Sequence, residues 1–114
     1  MASSADLGKE AQKAADGDFA TRWSADGDGE FIEFTFNGTY PITKVGLTGY
    51  HYDKTYFFEI NGKQFENPAN RPPNTLIEYN LSDLNIQSNK VKIIGHGNSG
   101  SSYNSYREIQ FYTQ

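Results

Sequence analysis

The chain of 114 residues has no cysteine, one methionine and one tryptophan. Without thiols it can form no disulfide and offers no thiolate to a metal. It also lacks any run of lysine or arginine, and 10 basic against 14 acidic residues give a formal charge of −4. Nucleic acid, which calls for a basic stripe, is therefore not an expected partner. No apolar stretch approaches the ~18 residues of a membrane-spanning helix, so no membrane partner is expected. Helical pattern is scarce too: only residues 6–15, "DLGKEAQKAA", have the composition, and that segment is short and interrupted by Gly8. No secretion signal is read at the start, where residues 1–4 look like a linker or an added start.

Aromatic residues are what the chain has in plenty. Eight Phe, eight Tyr and the Trp supply large buried area per residue, which offsets a mean hydropathy of −0.71. The length fits one domain, residues 1–114, expected to be monomeric. Strand patterns follow one another along it. "EFIEFTF" (30–36) alternates, placing Ile32, Phe34 and Phe36 on one face and Glu33 and Thr35 on the other. "KVGLTGY" (44–50) repeats the alternation, and "YFFEINGKQFE" (56–66) predicts a hairpin. Its Asn61-Gly62 suits a type I′ turn, in which both central residues need positive φ. "LIEYNL" (76–81), "KVKIIGHG" (90–97) and "YREIQFYT" (106–113) complete the set. Short strands at this spacing predict an all-β protein, an antiparallel β-sandwich or barrel.

Two connections are longer than turns: "NPANRPPNT" (67–75) and "GHGNSGSSYNSY" (95–106). The first sets Arg71 before two prolines, which bias it to an extended conformation. The pair Asp-Gly-Asp occurs twice, at 16–18 and 26–28. Asp16, Asp18 and Thr21 stand at i, i+2 and i+5, a spacing of oxygen ligands that suits calcium. One loop rarely fills such a shell, and Glu108 at the start of the last strand is the best distant carboxylate. An ordinary Asx turn explains the same residues without a metal. The second pair, directly before a strand and without a following Thr, predicts a plain turn.

"KAADGDFATRW" (13–23), followed by a Gly-containing turn and "EFIEFTF", resembles the opening of discoidin-type (coagulation factor 5/8 type C) domains. Family 32 carbohydrate-binding modules are the closer match. "KVKIIGHGNSGSSYNSYREIQFY" (90–112) resembles their closing segment, and the likeness spans nearly the whole chain. The resemblance implies an eight-stranded, discoidin-like jelly roll with one structural Ca2+. Its ligands would be the Lys13 carbonyl, Asp16, Asp18, Thr21, the Arg107 carbonyl and Glu108. Trp23 would belong to the core. The resemblance further implies a secreted, extracellular, non-catalytic module, carried in cis by a polysaccharide-degrading enzyme and binding a polysaccharide or oligosaccharide.

Candidate sugar contacts fall in three connections: His51, Tyr52 and Lys54 in "YHYDKTY", Arg71 in the proline loop, and His96, Asn98 and Tyr103 in the last. Loops clustered at one end of a sandwich are where such folds bind ligands. The ending "HGNS…YNSYRE" looks like modules appended to alginate lyases, so an acidic polysaccharide, alginate or a related polyuronate, is the expected ligand. Arg71 is the first candidate for its carboxylate, because a guanidinium fork grips one bidentately. Those relatives often carry Lys and Arg in the loop matching 50–56, where this chain has His51 and Thr55, with Lys54 displaced by one. A galactose-type neutral glycan and a discoidin-type adhesion role remain alternatives. No enzyme is expected: "GNSGS" (97–101) has Ser101 where a nucleophile elbow needs its final Gly. The two histidines, His51 and His96, show no spacing that joins them to a nucleophile or a zinc site.

Overall fold

A computed structural model describes residues 23–112. Its strands are β1 (Trp23–Asp26), β2 (Phe31–Ile42), β3 (Lys44–Gly49), β4 (Tyr56–Ile60), β5 (Lys63–Asn67), β6 (Ile77–Asn80), β7 (Ile86–Asn98) and β8 (Tyr103–Tyr112). They form two four-stranded sheets with orders β1-β8-β3-β6 and β2-β7-β4-β5. Every registered pair is antiparallel. The fold is an all-β sandwich of the expected class. The segment 6–15 and the first Asp-Gly-Asp lie outside the described residues.

The alternation read from the sequence sets the layers. Ile32 is buried, and Phe34 and Phe36 pack against the core, both edge-on to Phe111 of the facing sheet. Trp23, Tyr56, Phe58 and Tyr106 form the aromatic centre, with Trp23 and Tyr106 stacked at 6.1 Å. Trp23 is thus core, as the resemblance implied. Asn61 (φ 51°) and Gly62 (φ 84°) make the β4–β5 hairpin turn with both φ positive; of the second Asp-Gly-Asp, Asp26 ends β1 and residues 27–29 turn.

The 95–106 segment departs from expectation. β7 continues to Asn98 and β8 begins at Tyr103, so only residues 99–102 connect them. The glycines there serve close approach, not looseness. A Cβ on Gly95 would stand 2.1 Å from Asn104 Oδ1, which crosses between the sheets at that point. In β8 the register shifts, with Thr48 opposite Glu108 and Gly49 opposite Tyr106, so Arg107 is the extra residue of a bulge.

Candidate binding site

Four connections meet at one pole of the sandwich: 27–30, 50–55, 68–76 and 99–102. Backbone and side-chain bonds tie them into one body. Thr55 is the hub, its carbonyl accepting from Ser99 N (2.8 Å), its N donating to Ser99 Oγ (3.1 Å), and its Oγ1 accepting from Ala69 N (3.1 Å). The Tyr52 carbonyl accepts from Asn70 N at 2.6 Å, and its hydroxyl meets Asn74. On the other flank Gly27 N donates to Ser102 O, and Ser102 Oγ donates to Asp26 Oδ1. Two buried asparagines anchor these loops to the sheets. Asn67 accepts from Gly49 N at 2.8 Å and donates to Leu47 O and Tyr79 Oη. Asn104 accepts from Gly97 N at 2.8 Å and donates to Ala25 O and Gly27 O.

Arg71 corrects the expectation drawn from its prolines. It is 4% exposed, and its fork is directed into the protein. Nε donates to Thr48 Oγ1; one terminal nitrogen reaches the carbonyls of Lys54 (2.6 Å), Asn67 and Pro68; the other reaches those of Gly49 and His51 (2.6 Å). With all three nitrogens engaged, none remains for a ligand carboxylate. Burial lowers its pKa, while neighbouring tyrosines led by Tyr56 act the other way. A side chain expected to read the sugar instead holds the 50–55 loop in shape.

His96 and Asn98, both half-buried, are likewise engaged in bonds to the protein itself. Asn98 Nδ2 donates to Ser101 Oγ and Tyr103 O, and its Oδ1 accepts from the amides of Gly100 and Ser101. It braces the 99–102 turn, as Asn often does for its own loop. His96 lies between two carboxylates, Nδ1 at 2.6 Å from Asp28 Oδ1 and Nε2 at 3.0 Å from Glu59 Oε1. Those bonds, Glu59's first, raise its pKa above the ordinary value.

His51, Tyr52, Lys54 and Tyr103 remain toward solvent. The His51 ring is exposed and edge-on to Tyr50 at 4.9 Å. Lys54 leans over the neighbouring turn: its Cε and Nζ lie 3.0 Å from where a Cβ on Gly100 would stand. Tyr103, 38% exposed, is the one large hydrophobic side chain that is exposed among the described residues. Sequence reasoning missed the Arg107 side chain, whose guanidinium lies 4.0 Å over Tyr50 and 4.9 Å over Tyr52 and donates to Tyr50 O. Regular alternation gives no sign of it, because the bulge re-aims it. An open cleft of about 610 Å³ lies at the opposite pole, lined by Thr43, Lys44, Glu78, Tyr79, Asn80 and Ser82. Its lysine is already 3.2 Å from Glu78.

Of the expected calcium ligands, Lys13, Asp16, Asp18 and Thr21 lie outside the described residues. Arg107 and Glu108 are described. Glu108 is a carboxylate only 2% exposed, with the Gln110 amide 3.3 Å from its Oε2. The bulge at Arg107 takes its backbone out of regular one-to-one pairing. A buried carboxylate beside an irregular backbone fits an oxygen-ligated cation. No cluster of three His, Asp or Glu able to hold a metal occurs among the described residues.

Loops gathered at one end of an antiparallel sandwich are where such folds bind ligands. The sequence matches the F5/8 type C domain family over residues 1–109, and the chain belongs to that family of non-catalytic domains. Among solved structures it is similar to the family 32 carbohydrate-binding module of AlyQ in complex with 4,5-unsaturated mannuronic acid. The identity is 26% and the TM-score 0.88, covering 100% of this chain and 93% of that one. It also matches a truncated AlyQ with carbohydrate-binding and alginate lyase domains, at 26% identity and TM-score 0.86, covering 97% of this chain and 30% of that one. A pectin-binding carbohydrate-binding module shares the fold at 18% identity and TM-score 0.77, covering 97% of this chain and 86% of that one. No curated protein sequence matches significantly. The fold is that of a carbohydrate-binding module.

Proposed function

We propose that this module binds an acidic saccharide, a chain of alginate or a related polyuronate, at its loop pole. It would thereby hold a polysaccharide-degrading catalytic domain in cis, outside the cell, on its substrate. The observation that carries the reading is the placing of Lys54 against the 99–102 turn, on a loop fixed by Arg71 and Thr55. An ammonium carried on a fixed loop loses less on binding a carboxylate, and Tyr103, at the start of β8, offers an exposed aromatic face at the end of that turn. The likeness to the module described with 4,5-unsaturated mannuronic acid supports the same ligand class. A net charge of −4 does not oppose it, since charges beyond ~8 Å are screened at physiological salt. Few contacts give weak affinity, and tethering turns it into local concentration.

Calcium belongs to this reading as a structural ion. When bound it supplies a hard cation for oxygen ligands. The Lys13 and Arg107 carbonyls, Asp16, Asp18, Thr21 and Glu108 would hold it, joining the start of the chain to the last strand.

Calorimetry with unsaturated alginate oligosaccharides, with galactose as the neutral control, tests the function. The expected result is binding of the uronate that weakens with added salt and is lost in Lys54→Ala. Preferential binding of galactose, or a Lys54→Ala variant that binds uronate as the parent does, would overturn it.

A further inference from the structure

His96 joins three elements through its ring. It projects from β7, its Nε2 meets Glu59 of β4 at 3.0 Å, and its Nδ1 meets Asp28 of the 27–30 turn at 2.6 Å. A neutral imidazole can donate through one nitrogen only, so donation to both carboxylates requires the imidazolium. We propose that His96 is a proton-operated latch on the loop pole, holding the 27–30 turn when charged and releasing it when neutral, so that saccharide affinity declines with rising pH. The coupling to saccharide rests on the function proposed above; the latch itself does not.

The surroundings favour the charged ring. On the outer face of the β2-β7-β4-β5 sheet, Glu33 of β2 stands opposite Lys92 of β7, whose ammonium lies 4.4 Å over Phe31. Glu59 and Glu66 come from β4 and β5, and Asp28 and Glu30 from the turn. The cations of that face are Lys92 and, two residues further from His96 on β7, Lys90. The bonds to Glu59 and Asp28 hold the ring's pKa above its ordinary value. Its titration therefore falls above that of a free imidazole.

The release has a direction. Asp28 is 77% exposed at its side chain, against 24% for Glu59. Once the ring keeps a single proton, Asp28 loses least by turning to water, and the bond to the turn is the one given up. The turn touches the binding face directly. Gly27 N donates to Ser102 O, and Asp26 accepts from Ser102 Oγ, one residue from the exposed Tyr103. Gly29 N to Gly95 O, Gly95 N to Glu30 O and Asn104 to Gly27 O keep the turn attached, so release loosens it without unfolding the pole.

Two measurements on the whole chain test this. The first follows the His96 ring nitrogens by NMR over pH 5.5–9, together with the amides of Gly27, Gly29, Ser102 and Tyr103. Both ring nitrogens should carry protons at low pH, and the amides should shift with the ring's titration. The second follows calorimetric affinity for unsaturated alginate oligosaccharides over the same range in the parent and in His96→Gln. The parent should weaken roughly threefold or more as the ring deprotonates, while His96→Gln stays level. A ring that is singly protonated at pH 6, or amides that ignore its titration, would overturn the latch. Identical pH profiles in the two proteins would overturn its coupling to the ligand. Failure of both to bind at any pH would count against the proposed function, with the amide shifts still deciding the latch.

Discussion

Arg71 is a buried cation compensated by neutral oxygens rather than by a carboxylate. Six acceptors surround it: Thr48 Oγ1 and the carbonyls of Gly49, His51, Lys54, Asn67 and Pro68. Removing the fork strands several half-buried carbonyls at once, each at ~1–3 kcal/mol if water does not enter. Arg71→Ala should therefore lower unfolding stability in urea by about 3 kcal/mol. Arg71→Lys should recover little, because an ammonium cannot span the planar fan of acceptors. The Pro72-Pro73 pair made Arg71 legible as rigidly held, but rigidity does not say which way a long side chain points. Tyr106 shows the opposite imbalance. It is fully buried among Trp23, Tyr56 and Phe58, and its hydroxyl has no hydrogen-bond partner among the described residues. Burial pushes its phenol far above the ordinary tyrosine range. Tyr106→Phe removes an unsatisfied polar atom and keeps the ring, so stability should hold or rise by about 1 kcal/mol in the same assay.

Among the elements, β7 and β8 depend on one crossing side chain. Asn104 reaches from β8 into the space left by Gly95 and satisfies Gly97 N, Ala25 O and Gly27 O. In Gly95→Ala the new methyl would occupy the place of Asn104 Oδ1. Stability should fall by about 3 kcal/mol, from overpacking and stranded backbone groups together. Hydrogen exchange should quicken first at Gly27 and Gly97. Most strands were readable, because Ile32, Phe34 and Phe36 alternate plainly and Asn61-Gly62 dictates its turn; the four-residue β1, which ends in the second Asp-Gly-Asp, was not. The extent of β7 and β8 was not. Gly, Ser and Asn at 95–104 carry the composition of a loop, and only the opposing Asn104 shows that the glycines there make room. Of the site, Lys54 and Tyr103 were found as solvent-facing polar and aromatic residues in connections. His96 and Asn98 were found too; the partner Ser101 of Asn98 is local, but the partners Asp28 and Glu59 of His96 come from separate positions that no spacing links.

For the molecule as a whole, the question is what joins the start of the chain to its last strand. Glu108 sits 2% exposed on β8, beside the bulge at Arg107 and opposite Thr48. Under the calcium reading its carboxylate shares an ion with Asp16, Asp18 and Thr21, so bound metal belongs to the folded state alone. Such a ligand stabilises by ~2.7 kcal/mol at a hundredfold excess over its dissociation constant. In a domain this size that corresponds to a shift in Tm on the order of 10 °C. Calorimetric scans with calcium and then with EDTA should differ by about that much. Glu108→Gln should melt low in both and no longer respond to either. The chain's other pH-linked tie gives an independent control. His96, with its pKa raised, contributes stability fully below about 6.5 and loses it as pH rises through its folded value. The calcium increment should therefore persist in His96→Gln, and the alkaline loss should persist in Glu108→Gln. If EDTA leaves the melt unchanged while removing all metal, Glu108 is buried for a reason other than calcium and the calcium reading falls.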